Sequence, residues 1–194
     1  MSTKIPTREE ALSLFKRYNE TDSLNKHALA VEAVMRHFAE LFNEDAEKWG
    51  IIGLVHDLDY EKYPEEHCTQ TKKILEDESW PEDYIRAVLS HGYGICTEVE
   101  PQHTMEKVLY CIDELTGLVT ATALVRPSKS LMDMKVKSVK KKWNTRSFAA
   151  GANREIIKKG AEMLGKDLSY MIQETIEGMK KVAPDLELDG RLAG

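Results

Sequence analysis

The sequence predicts an all-α fold, a compact helical bundle with a C-terminal helical extension. Nearly every segment carries apolar residues three or four positions apart, the period of a helix with one buried face. Helix starts recur at Thr7-Arg8-Glu9-Glu10, Pro64-Glu65-Glu66 and Pro81-Glu82-Asp83. Each sets a cap or a proline before acids that suit the positive end of a helix dipole. No segment alternates with the period of a strand, and there is no internal repeat or low-complexity linker.

In order, the first helix runs from Thr7 to Tyr18 around Leu12, Leu14 and Phe15, and Asn19 to Ser23 breaks it. A second spans about 24–42 with a stripe at His27, Val31, Val34 and Phe38, so His27 faces inward and His37 falls on the surface flank. The third, about 45–58, contains Ile51-Ile52-Gly53-Leu54-Val55, a run with no polar side that is buried all round. It ends in His56-Asp57. Tyr60 to Pro64 is a loop, and the next helix opens at Pro64 with His67 above Thr71, Ile74 and Leu75. The helix from Pro81 carries Tyr84, Val88 and His91 on one face, and Gly92-Tyr93-Gly94 stops it. His103 lies in an exposed loop. A long helix, about 104–125, is apolar apart from Asp113, Glu114 and threonines, and Asp113 shares a face with Thr116, Gly117 and Thr120. Small residues there let a partner or ligand approach closely. Ser130 to Trp143 is read as a helix with a stripe at Met132, Val136, Val139 and Trp143. Helices over about 152–164 and 167–182 follow, and the tail from Asp185 to Gly194 is polar and frayed.

Composition narrows the function. At 42% hydrophobic and 31% charged the chain is a globular domain, long enough to bury a core without staples. Cys68, Cys96 and Cys111 form no CxxC pair, so neither a disulfide framework nor a cysteine-type zinc site is expected and a reducing cytoplasm fits. The start Met1-Ser2-Thr3-Lys4-Ile5-Pro6 has no signal-like apolar core, and no run reaches membrane-span length. Net charge is −6, yet Arg126 to Arg146 holds eight Lys or Arg against one acid, a net of +7 that leaves −13 on the other residues. That distribution does not look like a general nucleic-acid binder and suits one small anionic ligand, and with no span-length run no membrane partner is expected. A homodimer is compatible with it.

Four histidines and two aspartates stand out. A buried carboxylate such as Asp57 needs a cation or hydrogen-bond donors, and His56-Asp57 is either a hydrogen-bonded structural pair or a metal-ligating one. His27 and Asp113 carry the same two readings. Taken together the order is H…HD…H…H…D, from His27, His56-Asp57, His67, His91 and Asp113. This resembles the HD superfamily of metal-dependent phosphohydrolases over about residues 24–126, with 127–183 as the helical extension of a single domain. The chain is also similar to a group of predicted HD hydrolases in which Asp113-Glu114-Leu115-Thr116-Gly117 and Ala123-Leu124-Val125-Arg126-Pro127-Ser128-Lys129 recur.

The resemblance implies that His27, His56, Asp57 and Asp113 hold one divalent metal ion, and that His67 and His91 hold a second, bridged by Asp57. Imidazole and carboxylate together suit Fe, Mn, Zn, Ni or Co better than Mg. The implied reaction is hydrolysis of a nucleotide or small phosphate ester by a metal-activated water. Asp57, Glu114 and Asp59 are the candidate catalytic residues, with Glu66 a further candidate acid. Arg126, Lys129, Lys137 and Lys141 are the candidate phosphate ligands. Many relatives follow the HD pair with Ile-Gly-Lys, whereas here it is Leu58-Asp59-Tyr60, and Lys62 is the nearest lysine. Two rival readings share the ligand set: a di-iron oxygenase and a non-catalytic nucleotide-binding sensor.

Overall fold

Residues 4–193 are described by a computed structural model. Met1–Thr3 and Gly194, which belong to the expected leaderless start and frayed tail, lie outside them. Nine α-helices form among the described residues: α1 (Arg8–Tyr18), α2 (Asp22–Phe42), α3 (Ala46–Val55), α4 (Thr69–Asp77), α5 (Glu82–Ser90), α6 (Thr104–Leu124), α7 (Val136–Trp143), α8 (Arg154–Met163) and α9 (Leu168–Lys180). Pro64–Glu66 makes one 3₁₀ turn. Extended pairing among them is limited to two isolated bridges, Tyr93 with Thr97 and Ser130 with Asp189. The fold is all-α, as the periodicity predicts. No helix among the described residues is long and apolar enough to cross a membrane.

The two 21-residue helices, α2 and α6, pack together at the centre. Against α2 lie α3 and α9; against α6 lie α5, α8 and α9. Glycines set several of these approaches, and two of them bear on the site. A Cβ on Gly53 would come within 2.8 Å of Met35 Cγ and 3.2 Å of the Val31 carbonyl. The missing side chain therefore lets α3 lie directly on α2 and brings His56 towards His27. A Cβ on Gly160 would meet Cys111 Cβ at 2.5 Å and Cys111 Cα at 2.8 Å, so α8 touches the backbone of α6 two residues before Asp113. From Trp49 to Val55 every residue of α3 is buried, as its lack of a polar face requires.

The structure departs from the sequence reading in five places. Helix α3 stops at Val55, so His56 and Asp57 begin the following turns rather than ending the helix. The helix expected from Pro64 is two pieces, split where His67 is extended and Cys68 takes φ 69°. That split frees His67 from helical geometry. In the Ser130–Trp143 segment only α7 is helical, because Leu131 and Met134 turn inward and the Leu131 N–H donates to the Leu188 carbonyl at 2.8 Å. Met132, expected in the stripe, is left 59% exposed. The tail is not frayed as far as Asp189: Leu186 and Leu188 are buried and Ser130 pairs with Asp189. Finally, His37 is half-buried against α9, with Nε2 2.7 Å from Glu174 Oε2. His103 is exposed as expected, and it also caps α6, its Nδ1 accepting from the Met105 N–H at 3.1 Å.

Candidate metal centre

Six side chains from five parts of the chain converge. His27 comes from α2, His56 and Asp57 from the turn after α3, His67 from the break before α4, His91 from the end of α5 and Asp113 from the middle of α6. They form two clusters that share Asp57: His27, His56, Asp57 and Asp113, and Asp57, His67 and His91. Within each, the donor atoms lie within 4.8 Å of one another. In the first, His27 Nε2 is 3.2 Å from His56 Nε2 and 3.0 Å from Asp113 Oδ1. Asp57 Oδ2 is 3.3 Å from His56 Nε2 and 3.6 Å from His27 Nε2. The other oxygen, Asp57 Oδ1, is 3.5 Å from His67 Nε2 and 3.4 Å from His91 Nε2. One carboxylate thus turns one oxygen to each cluster.

The outer nitrogens show what the inner ones are for. Helices α3 and α5 close in the same way: His56 Nδ1–H donates to the Gly53 carbonyl at 2.7 Å, and His91 Nδ1–H to the Val88 carbonyl at 2.5 Å. Each ring caps a carbonyl at a helix end, where one would otherwise be unpaired. His67 Nδ1–H donates to Asp59 Oδ1 at 2.7 Å. With Nδ1 carrying the proton, Nε2 of a neutral ring has only a lone pair to offer. His67 and His91 turn Nε2 towards Nε2, 3.1 Å apart, a pair of nitrogens that a proton or a metal cation between them would satisfy. Burial opposes a charged His56, but Asp57 and Asp113 outweigh it and hold its pKa well above the usual imidazole value. Against the same burial, His56 and then His91 hold Asp57 well below the carboxylate range. His56, followed by hydrogen bonds from His27 and His56, does likewise for Asp113. A cluster that keeps two carboxylates ionised and favours positive charge between them is suited to a divalent ion.

Asp59 takes a different part from the one expected. It is fully buried, with Oδ1 on His67 Nδ1–H and Oδ2 accepting the Thr71 N–H at 2.7 Å. Both oxygens are occupied, so it orients His67 from behind instead of handling a substrate proton. Asparagine has one oxygen and one NH₂ and can accept only one of those two bonds. Asp59→Asn is expected to weaken by about 10–100-fold the binding of any ion that Asp57, His67 and His91 would hold and to leave binding at the other cluster unchanged. Competitive metal titration reads this directly, and two unchanged affinities would remove Asp59 from the centre. Farther back, Asn19 donates through Nδ2 to the Phe15 and Leu58 carbonyls, at 3.2 and 2.8 Å, and pins the HD turn to α1.

All of these donors except the fully buried His56 line a cavity of about 460 Å³, open to solvent and lined also by Tyr60, Gly92, Ile95, Cys96, Glu114, Gly117 and the Ala149–Ala152 loop. Glu114 accepts the Asn153 N–H through Oε2 at 2.8 Å, and burial, ahead of the Asp113 charge, raises its pKa. A Cβ added at Gly117 would meet open space, so no other element packs closely against that face and it opens onto the cavity. The expected phosphate ligands are elsewhere. Arg126 spends its fork on Asp133, at 2.9 and 2.8 Å, and on the Ser130 carbonyl. Lys137 and Lys141 are exposed, and they, Arg126 and Lys129 are absent from the cavity wall. Lys62 donates to the Arg17 carbonyl, and Glu66 accepts from Gln70. The reason is local: Asp133 and the backbone of the loop after α6 give Arg126 nearer partners than the cavity does.

Sequence reasoning missed Tyr60, Cys96 and the Ala149–Ala152 loop. Tyr60 sets its ring edge-on to His67, centroids 5.2 Å apart. Its place three residues after Asp57 was the one available signal. Nothing in the sequence marks the loop, which arrives from more than thirty residues beyond Asp113.

Helices that cross through glycine contacts bring four imidazoles and two carboxylates together, five of the six on the wall of one open cavity, and define a helical domain with donor clusters that could hold a metal. Residues 25–118, just under half of the chain, match the family model of the HD domain and contain all six donors. Over that segment the chain is similar to the HD domain, a family largely of metal-dependent hydrolases. No solved structure matches the chain.

Proposed function

We propose that the protein is a metal-dependent phosphohydrolase acting on a nucleotide or small phosphate ester. The observation that carries this reading is Asp57, one carboxylate offered to two donor clusters on the floor of an open cavity. His27, His56, Asp57 and Asp113 would hold one ion, and Asp57, His67 and His91 a second, drawn from Fe, Mn, Zn, Ni or Co by their nitrogen-rich donors. Divalent ions there would supply Lewis acidity towards a phosphoryl oxygen and a water acidified to near neutrality. The chain's own contribution is positioning and proton handling. Asp59 fixes His67. Glu114, anchored by one oxygen to the Asn153 amide, directs its carboxyl along the cavity wall, where it would protonate a leaving group.

The test is phosphate release from a panel of nucleotides and simple esters by metal-loaded protein under anaerobic conditions. Turnover should vanish on chelation and return with metal. Glu114→Gln should keep the metal and lose about 10²–10⁴-fold in rate. Phosphate release indifferent to chelation would overturn the reading, and so would turnover that begins only with oxygen uptake, which belongs to the oxygenase alternative.

A further inference from the structure

Next to the metal cavity is a second hollow that none of the six candidate metal donors lines. It holds about 760 Å³, more than the metal cavity, and is lined by Trp143, Asn144 and Arg146 and by Asn153, Arg154 and Lys158 at the start of α8. Ile95, Glu114, Gly151 and Ala152 line both hollows, so the two are chambers of one trough. The divide is low at Gly151, where an added Cβ would meet nothing within 4 Å. Ile95 stands 64% exposed on it.

The chambers differ in charge. The metal chamber has Asp57, Asp113 and Glu114. The outer chamber sets Arg146, Arg154 and Lys158 against Glu155 and the shared Glu114. Arg154 is structural: it donates to the Phe148, Ala149 and Ala152 carbonyls and shapes the dividing loop. Lys158 bonds Glu155 at 3.1 Å, but that partner is 82% exposed and holds it weakly. Arg146 is exposed at the rim. Two cations are thus available to an incoming anion, and the guanidinium can bind a phosphate or carboxylate with two parallel hydrogen bonds. At about 460 Å³ the metal chamber is near the small end of ligand sites.

Resting on the phosphohydrolase reading, we infer that the outer chamber is a second anion subsite of the same site. The substrate is then a phosphate ester whose leaving group carries another phosphate or carboxylate. Its scissile phosphate sits over the metal donors, its spacer crosses Ile95 and Gly151, and its distal anion meets Arg146 and Lys158. The basic run that ends at Arg146 thereby serves the ligand through its last residue, while Arg126 staples its own loop.

Adenosine 5′-phosphate and adenosine 3′,5′-bisphosphate differ by one phosphate and serve as probes, with calorimetry on metal-loaded protein as the readout. The parent should bind the bisphosphate at least about tenfold more tightly. In the Arg146→Ala/Lys158→Ala variant, at parental metal content, the ratio should fall to within about threefold. Gly151→Leu, which raises the divide and removes no charge, should erase the same preference. A parent without the preference, or a double variant that keeps it, overturns the subsite. If neither nucleotide nor inorganic phosphate binds the loaded parent, the phosphohydrolase reading fails and the subsite falls with it.

Discussion

Asp57→Ala is expected to empty both metal positions in a single substitution. Asp57 is the residue common to the two histidine–aspartate clusters, facing His27 and His56 with Oδ2 and His67 and His91 with Oδ1, whereas His67 is shared with a separate group that includes Cys68 and Cys96. Losing it leaves the first cluster with two imidazoles and one carboxylate, and the second with two imidazoles and no anion. Disturbing a mere supporting partner of a metal ligand costs about 10–100-fold in affinity, and a shared charged ligand should exceed that at both positions. Elemental analysis after gel filtration should find protein near metal-free, with the helical circular dichroism retained. His67→Ala, by contrast, should cost the second position alone. Full loading of the Asp57 variant would show that the clusters do not bind metal as described.

Gly160→Ala should destabilise the fold more than a surface helix substitution could, although alanine is the better helix former. The new methyl would lie 2.5 Å from Cys111 Cβ, 2.8 Å from Cys111 Cα and 3.1 Å from Cys111 N. Two of those atoms are backbone and cannot rotate aside, so α8 must retreat from α6 as a body. Overpacking of this kind costs about 1–3 kcal/mol, and the rigid backbone contact puts the value at the upper end. For a chain of this length that lowers Tm by about 6–12 °C. Differential scanning calorimetry decides it, and a Tm within a degree of the parent would mean that the two helices are not in backbone contact. Since Asn153 at the head of α8 holds Glu114, the same retreat should also loosen the cavity wall.

The parts of this molecule that were legible in the sequence are those fixed by local physics. The cap of α1, the all-round burial of α3 and the inward stripe of α2 follow from spacing and residue type, and with the stripes of α5 and α6 they put His27, His56, Asp57, His91 and Asp113 at helix faces or ends. His67 was read on a helix because Pro64-Glu65-Glu66 looks like a start. The break at Cys68, with its positive φ, responds to tertiary demands: His67 must reach Asp59 and His91 together. Arg126 misled for a related reason. Its charge was visible, but its partner depends on a turn that only the inward packing of Leu131 and Met134 creates. Whether a lysine or arginine meets a ligand or its own loop is decided by contacts the linear pattern does not contain. The Ala149–Ala152 loop is the extreme case, since nothing in its composition marks it as a cavity wall.

The family match ends at residue 118, within α6, while helix packing draws its boundary elsewhere. The α8 helix lies on the backbone of Cys111, and α9 on that of Val34, where a Gly178 Cβ would come within 2.9 Å of Val34 Cα. Both supported residues belong to helices that carry metal donors, and Val34 lies two turns along α2 from His27. The portable unit, the shortest stretch that could be moved into another protein with its ligands still in register, therefore runs on to at least Lys180. Excised at the edge of the recognisable motif, α2 and α6 would each present a bare, water-facing stripe where a neighbour had been keyed into a glycine notch.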